Sequence, residues 1–345
     1  MGIKKKIRVL VVDDSMLFTE VLVKGLTEDV GIEVVGTAKD PYEARDKIIE
    51  LRPDVMTLDV NMPRMSGIEF LKKLMPQYPM PVVVVSAVDD IVFDALNAGA
   101  VDFVSKPNRV DPNGVQSLVN ELAVKIKIAS ISKVGHWKHR QTKNDPKGRV
   151  METKNANVIA IGASTGGTEA IYNVIKQFPR DIPGTVIVQH MPPVFTKMYA
   201  ERMNNQCLVE VCEAKDGDMI TQGKVLIAPG DAHMKVVRKN GQFQVKCFKG
   251  DKVSGHMPSV DVLFDSVADA IGEKAIGVIL TGMGSDGAKG LKKMRENKAL
   301  TIGQNEESCI VYGMPKAAYD QGAVEYQLEL KEIANHVIEL INKRK

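Results

Sequence analysis

Short apolar runs alternate with amphipathic stretches through residues 7–128 of the chain. The runs are rich in valine and isoleucine and are almost continuously apolar, which is typical of parallel strands covered on both faces. Apolar residues three and four positions apart predict helices between them. The predicted strands are 8–12, 33–38, 55–58, 82–86 and 102–105, and the predicted helices are 16–28, 41–51, 67–75, 91–98 and 114–129.

Five β-α units of this kind predict a doubly wound, flavodoxin-like parallel sheet of order 2-1-3-4-5, in a domain of residues 1–129. The pattern then stops until about residue 157. Residues 130–157 contain seven Lys or Arg residues and two acidic residues, which gives this stretch a net charge of +5. Since the whole chain carries +3, the remaining residues together carry −2. This composition favours a basic flexible linker at 130–156, which contains the isolated Trp137.

The alternation resumes from residue 158 and predicts a second, larger α/β domain at residues 157–345, again with a doubly wound parallel sheet. The predicted strands are 158–161, 185–189, 208–210, 225–228, 244–247, 275–280 and 300–303, and the predicted helices are 168–178, 193–205, 259–271, 287–295, 315–321 and 330–342.

Composition adds few constraints. A chain of 345 residues is long for one core, and 44% hydrophobic with 26% charged residues is ordinary for a globular protein. The net charge of +3 gives no support for nucleic-acid binding. Four cysteines without a C-x-x-C pair predict free thiols. The sequence has neither a signal-peptide pattern nor an apolar run near ~20 residues, which predicts a cytoplasmic protein without membrane insertion.

Polar residues follow the central strands of the first predicted sheet. Asp13 and Asp14 follow the first strand, Asp59 the third and Lys106 the fifth, while Ser86 ends the fourth. Because these strand ends share one edge, the side chains converge there. Three carboxylates repel one another unless a cation is present, and hard oxygen ligands suit Mg²⁺. The pattern indicates aspartyl-phosphate chemistry, in which Mg²⁺ and Lys106 neutralise the phosphoryl oxygens.

With these positions, residues 7–129 resemble the receiver domain of two-component response regulators. The resemblance implies that Asp59 is the phosphoacceptor. It also implies that Asp13, Asp14, Asp59 and the backbone carbonyl of Asn61 hold Mg²⁺.

By the same resemblance, Ser86 and Lys106 carry the phosphorylation switch, and Phe103 matches the switch aromatic of the family. Core packing is an equally good interpretation of Phe103. Ser66 departs from the family, which more often has Asp at this turn position.

A serine among small residues marks the start of the second domain. Gly-Ala-Ser-Thr-Gly-Gly at residues 162–167 follows the first strand directly and matches G-x-S-x-G. Such a strand-to-helix turn lifts a hydroxyl clear of the sheet, and the helix N-terminus offers N–H groups to an oxyanion. Ser164 replaces the middle glycine of a dinucleotide fingerprint. On this motif alone, a phosphate-binding turn and a plain tight turn stay open.

A nucleophilic serine needs a base and an orienting carboxylate. His190 follows strand 185–189 and Asp286 follows strand 275–280, so both reach the edge that carries Ser164. We therefore predict the triad Ser164, His190 and Asp286.

Other residues compete for these roles. His233 follows strand 225–228 and His256 lies in a loop before a helix, so either is a second pocket histidine or a structural one. Asp216 and Asp218 flank a glycine and are typical of turns. Ser285 lacks the strand-turn-helix setting of Ser164.

The order Ser…His…Asp differs from the Ser…Asp…His order of α/β-hydrolases. Five motifs stand out in the second domain, at residues 162–167, 188–191, 228–234, 258–264 and 281–287. With these motifs and the receiver-like residues, the whole chain resembles the chemotaxis response regulator family of protein-glutamate methylesterases. Met257 departs from this family, which often carries Arg beside His256, so any contact of that arginine is in doubt.

The resemblance implies hydrolysis of glutamate methyl esters on chemoreceptors with release of methanol, deamidation of receptor glutamines, and phosphorylation by a chemotaxis histidine kinase. Ser164 would attack, His190 would act as base and acid, and Asp286 would orient the imidazole. The backbone N–H groups of Thr165 and Met283 are the predicted oxyanion hole, and the esterase site needs no cofactor.

An attached receiver predicts control of the enzyme. We expect the unphosphorylated receiver to cover the Ser164 edge and phosphorylation of Asp59 to release it.

Two other classes of protein fit the sequence less well. A DNA-binding regulator would need a helix-turn-helix or a basic recognition helix, and a dinucleotide oxidoreductase would need glycine and an acid where Ser164 and His190 stand.

Overall fold

The fold of the chain was obtained as a computed structural model, which describes residues 5–87, 89–107, 112–134 and 158–343. The chain divides into two compact units, residues 1–140 and 141–345. Most of the predicted linker, including Trp137, lies outside the described residues. The linker therefore stays a prediction.

The N-terminal unit is one parallel sheet of order β2-β1-β3-β4-β5 with helices between successive strands, as predicted. β3 and β4 are buried along their whole length, which explains their continuous apolar pattern. The elements are β1 (Ile7–Val12), α1 (Met16–Thr27), β2 (Ile32–Ala38), α2 (Pro41–Leu51), β3 (Val55–Asp59), α3 (Gly67–Leu74), β4 (Val82–Ser86), α4 (Asp89–Asn97), β5 (Asp102–Ser105) and α5 (Pro112–Ser130).

Helix starts in this unit follow local signals. Asp40 caps α2 by accepting hydrogen bonds from the backbone N–H groups of Tyr42 and Glu43. Ser66 caps α3, where its Oγ accepts from the N–H of Glu69 at 3.2 Å. The serine that departs from the family therefore still satisfies the helix N-terminus.

The second unit holds a seven-stranded parallel sheet and a two-stranded antiparallel hairpin. Its elements are β6 (Val158–Ala163), α6 (Gly167–Ile175), β7 (Thr185–Gln189), α7 (Phe195–Gln206), β8 (Glu210–Glu213), β9 (Lys224–Ile227), β10 (His233–Lys239), β11 (Gln242–Phe248), α8 (Val260–Ala270), β12 (Ala275–Ile279), α9 (Ala288–Glu296), β13 (Leu300–Gln304), α10 (Met314–Asp320), β14 (Tyr326–Leu328) and α11 (Leu330–Lys343).

The sheet order is β14-β13-β12-β6-β7-β9-β8. After β6 the chain forms β7, then the edge strand β8, and then β9 between β7 and β8. It returns to the other side of β6 with β12, β13 and β14. The connections after β6 and β12 therefore leave in opposite directions. This switch point is where open α/β sheets form their ligand crevice, at the carboxyl ends of the strands.

Two predicted strands and the position of His233 need correction. Strand 208–210 lies at Glu210–Glu213 instead. Strand 244–247 belongs to β11, which pairs with β10 in the hairpin and not with the main sheet. His233 does not follow a strand directly but begins β10. Neither β10 nor the edge strand β14 was predicted. Among the described residues, no helix has the length and apolar character to cross a membrane.

Candidate active sites in the two units

Three carboxylates lie together at the carboxyl edge of the N-terminal sheet. One oxygen from each of Asp13, Asp14 and Asp59 lies within 4.8 Å of the others. Asp13 and Asp59 are buried and Asp14 is exposed. An oxygen-only cluster open on one side fits Mg²⁺, which keeps several waters when it binds to proteins.

Lys106 reaches into this cluster. Its Nζ lies 2.7 Å from Asp13 Oδ2 and 3.0 Å from Asp59 Oδ2, and 4.6 Å from the centre of the Phe18 ring. Burial raises the pKa of Asp59 above its ordinary value; Lys106 opposes that rise and the charge of Asp13 adds to it. Phe18 was not singled out from the sequence.

The other predicted residues of this site lie around the cluster. Ser86 is buried at the end of β4, and its carbonyl accepts from the N–H of Lys106 at 2.8 Å. Phe103 is buried on β5 with Lys125 Nζ 4.9 Å from its ring centre. The N–H of Asn61 points to Asp59 Oδ1 at 3.4 Å, and metal binding by its carbonyl stays a prediction.

In the second unit, Ser164 occupies the turn between β6 and α6. Its N–H donates to the carbonyl of Thr281 at 3.0 Å, and its own carbonyl accepts from the N–H of Gly167 at 2.7 Å. Gly166 follows with φ +74°, a conformation that favours glycine. A Cβ placed on Gly282 would lie 2.7 Å from Ser164 Cβ, so glycine lets the loop after β12 approach the serine closely.

The two predicted oxyanion residues lie on either side of this contact. Thr165 is buried directly after Ser164, and Met283 is 43% exposed directly after Gly282. Their role as N–H donors to an oxyanion stays a prediction.

His190 and Asp286 form a direct pair. His190 Nε2 lies 2.8 Å from Asp286 Oδ2, and the two side chains are 9% and 1% exposed. The other ring nitrogen, Nδ1, is buried and has no hydrogen-bond partner in the described part of the chain. His190 Nδ1 is therefore available as a proton acceptor at the sheet edge that carries Ser164.

The N-terminus of α8 holds Asp286. Oδ1 accepts from Ser259 Oγ at 2.8 Å and from the N–H of Asp261 at 3.0 Å, and Oδ2 also accepts from the N–H of Val260 at 2.8 Å. Burial would raise the pKa of Asp286, but the His190 and backbone hydrogen bonds outweigh it and lower that pKa below its ordinary value. The carboxylate is thus held ionised at a helix N-terminus.

Gln189 links the backbones on which the serine and the histidine lie. Its Nε2 donates to the carbonyl of Ser164 at 2.9 Å and to that of His190 at 3.1 Å. The residue is buried at the end of β7. Gln189 and Ser259 lie in two of the motifs named above, but neither was predicted to have a role in the site.

Most of the competing residues make other contacts or are exposed. His233 is buried, donates from Nε2 to the carbonyl of Asp251 at 2.9 Å, and accepts from the N–H of Ser259 at Nδ1. Both ring nitrogens of His233 therefore form hydrogen bonds with backbone groups, which indicates a structural role. Ser285 is exposed, and Asp216 accepts from the N–H of Cys247 in a turn.

His256 lies directly on the pair. Its ring centre is 3.8 Å from that of His190, with 11° between the ring planes.

Asp218 was the last of the alternative residues. Its side chain accepts a hydrogen bond from the N–H of Lys215 in a tight turn.

Comparison with known proteins identifies the family of the chain. The family profile described as CheB methylesterase matches residues 159–337, and that of the response regulator receiver domain matches residues 9–116. A protein-glutamate methylesterase/protein-glutamine glutaminase of Syntrophomonas wolfei is 57% identical over 339 residues, covering 98% of this chain and 99% of its own length. The chain belongs to the CheB methylesterase family. The Salmonella typhimurium relative with the same description is 44% identical and is covered over 97% of its length.

A solved structure supports the fold of the second unit of this CheB-family chain. The CheB methylesterase catalytic domain of Thermotoga maritima aligns with a TM-score of 0.53 and 38% identity, covering 54% of this chain and all of that one. The predicted fold class, with a receiver unit and a larger methylesterase unit, is therefore confirmed.

Proposed function

We propose that this chain is a phosphorylation-regulated serine esterase that hydrolyses glutamate methyl esters on chemoreceptors, releases methanol and also deamidates receptor glutamines, in the cytoplasm. The names of its relatives support this class of reaction. The observation that carries it is the 2.8 Å pair of His190 and Asp286 at the sheet edge where Ser164 turns out of β6.

The chemistry follows from the free ring nitrogen. Because Asp286 engages Nε2, Nδ1 of His190 takes the proton from Ser164 Oγ as the oxygen attacks the ester carbonyl. The N–H groups of Thr165 and Met283 stabilise the tetrahedral oxyanion, each by about 3 kcal/mol.

Collapse of that intermediate breaks the ester C–O bond, and the Nδ1 proton goes to the leaving methoxide, which departs as methanol. A water then attacks the acyl-serine and gives one proton to Nδ1. The bond between the acyl carbon and Ser164 Oγ breaks, Nδ1 returns the proton to that oxygen, and the released acid ionises to glutamate by losing its remaining proton to solvent. A glutamine side chain follows the same course with ammonia as the leaving group. Throughout, ionised Asp286 stabilises the imidazolium.

In the receiver unit, Asp59 accepts a phosphoryl group from the chemotaxis histidine kinase. Asp13, Asp14, Asp59 and the carbonyl of Asn61 would hold Mg²⁺, which supplies positive charge to the phosphoryl oxygens. Lys106 pairs with the carboxylates before the reaction and is placed to pair with the phosphoryl group after it. Ser86 offers a hydroxyl donor, and Phe103 completes the switch.

The proposed control is steric. The unphosphorylated receiver covers the Ser164 edge, and phosphorylation of Asp59 releases it. The support for this proposal is architectural, since a switchable domain precedes a catalytic one in the same chain.

The test measures methanol release from methylated receptor membranes, with and without acetyl phosphate. Wild type should release methanol, Ser164→Ala should not, and Asp59→Asn should lose the stimulation by acetyl phosphate while keeping basal release. Unchanged release from Ser164→Ala would refute the triad. Equal stimulation of Asp59→Asn would refute control through that residue.

A further inference from the structure

The ring of His256 lies flat on the ring of His190. Centre-to-centre separation is 3.8 Å and the planes differ by 11°, so the two rings are in van der Waals contact over one face. None of the proposed chemical steps uses His256. A half-buried histidine in contact with the base therefore needs its own account.

The loop that carries His256 is held firmly. Val253 and His256 exchange two backbone hydrogen bonds of 3.0 and 2.9 Å across a tight turn. Ser254 Oγ donates to Asp261 Oδ2 at 3.1 Å, and Asp261 lies in the first turn of the helix that holds Asp286. The stacked ring and the orienting carboxylate thus share one support.

His256 stays uncharged while His190 works. The pKa of His256 is lowered to about 4, mainly by burial and then by the neighbouring His190 and Lys252, while Asp286 opposes the shift. At neutral pH the stacked pair therefore carries a charge only when His190 takes up a proton.

We propose that His256 is a positioning residue, whose ring holds the plane of the His190 imidazole by stacking on one face. One hydrogen bond to Asp286 leaves the imidazole free to rock about that contact, which would move Nδ1 relative to Ser164. A flat ring in contact with the imidazole opposes this motion and keeps water off that face. The proposal rests on the proposed function for its kinetic consequence but not for its geometry.

The test compares His256→Phe, which keeps a flat ring, with His256→Leu, which does not, in the full-length chain. His336→Leu is the matched control. His336, in α11, is also a half-buried histidine, and its ring contacts the aromatic ring of Tyr326 in β14. Loss of ring packing and a small displacement of the base should lower kcat of His256→Leu about ten-fold with KM unchanged. His256→Phe should stay within about three-fold of wild type, and His336→Leu should match it.

A spectroscopic arm separates this proposal from the proposed function. The chain has six histidines, so selective labelling resolves the His190 ring protons by NMR. Ring-current shifts of His190 should persist in His256→Phe and vanish in His256→Leu, whatever the substrate is. This arm gives a result even if wild type releases no methanol, which would refute the proposed function alone.

Three results would overturn the proposal. One is a kcat of His256→Phe as low as that of His256→Leu, because a ring nitrogen would then be required. Another is a change of KM alone, which would make His256 a substrate contact. The third is a His190 ring-current shift that His256→Leu leaves unchanged.

Discussion

Ser259 offers a direct test of how Asp286 is held. Its side chain is completely buried, and its Oγ donates to Asp286 Oδ1 at 2.8 Å while accepting from the N–H of Val262 at 3.5 Å. Ser259→Ala removes both contacts and leaves every other donor to Asp286 in place. The perturbation is therefore confined to one hydroxyl.

The magnitude follows from these two contacts. A hydrogen bond to a charged group is worth about 1.5–3 kcal/mol. The helix cap adds about 0.5 kcal/mol, the low end of its range, because its contact is long. We expect Ser259→Ala to lower the free energy of unfolding of the second unit by about 2–3.5 kcal/mol. Two backbone donors and His190 still hold Asp286, so kcat should fall by less than about ten-fold.

The pH dependence has a definite sign. The lowered pKa of Asp286 means that its ionised form stabilises the fold above pH ~4, and that this stabilisation is lost as the pH falls through the folded-state pKa. Losing one donor raises that pKa toward its ordinary value. The difference between wild type and Ser259→Ala should therefore be complete at pH 7 and shrink in acid.

The assay is urea unfolding followed by hydrogen exchange in peptides of the second unit, at pH 7 and at a pH well below ~4, where Asp286 becomes protonated in the folded chain. Ser266→Ala is the control, because Ser266 Oγ on α8 bonds only to neutral groups, the carbonyl of Leu263 and the N–H of Val236. It should cost about 1 kcal/mol at either pH. The reasoning is refuted if Ser259→Ala costs no more than Ser266→Ala at pH 7, or if its cost is independent of pH.

Three further changes test other contacts, two in the second unit and one in the N-terminal unit. Gly282→Ala places a Cβ 2.7 Å from Ser164 Cβ and should lower kcat about 100-fold; a wild-type kcat would show that the loop yields. Gln189→Leu removes the amide that joins the Ser164 and His190 carbonyls and should lower kcat about ten-fold at constant KM, whereas a pure KM effect would contradict this. The raised pKa of Asp59 means that its ionised form destabilises the receiver as pH rises above ~4. Asp59→Asn should therefore raise the receiver's Tm in calorimetry at pH 7 but not in acid, and equal gains at both would refute this sign.

The sheets were predictable wherever a strand is buried on both faces. β3, β4, β6, β7 and β12 are buried along their whole length and appear in the sequence as largely apolar runs. Chain order and the handedness of βαβ connections then limit the possible strand orders. The same physics explains why the acidic cluster was predictable, since parallel strand ends meet at one edge.

Half-exposed strands were harder to predict. β10 carries Lys235 and Arg238 among its apolar residues and lies outside the main sheet, and β14 is a three-residue edge strand. The hairpin did leave a local signal in Asn240 and Gly241, which both have positive φ in the turn. Asn-Gly is the favoured dipeptide of such two-residue turns.

The residues that hold the esterase site in place were the hardest part to predict from the sequence. Ser164, His190 and Asp286 follow three different strands, so topology alone brings them to one edge. The groups that hold Asp286 come from the start of α8, more than 20 residues earlier in the chain. Ser259 carries the sequence signal of an N-cap, but an N-cap signal does not say which anion its helix will meet. Which side chains a helix start or a tight turn contacts depends on how the completed sheet places them, and only the folded chain supplies that information.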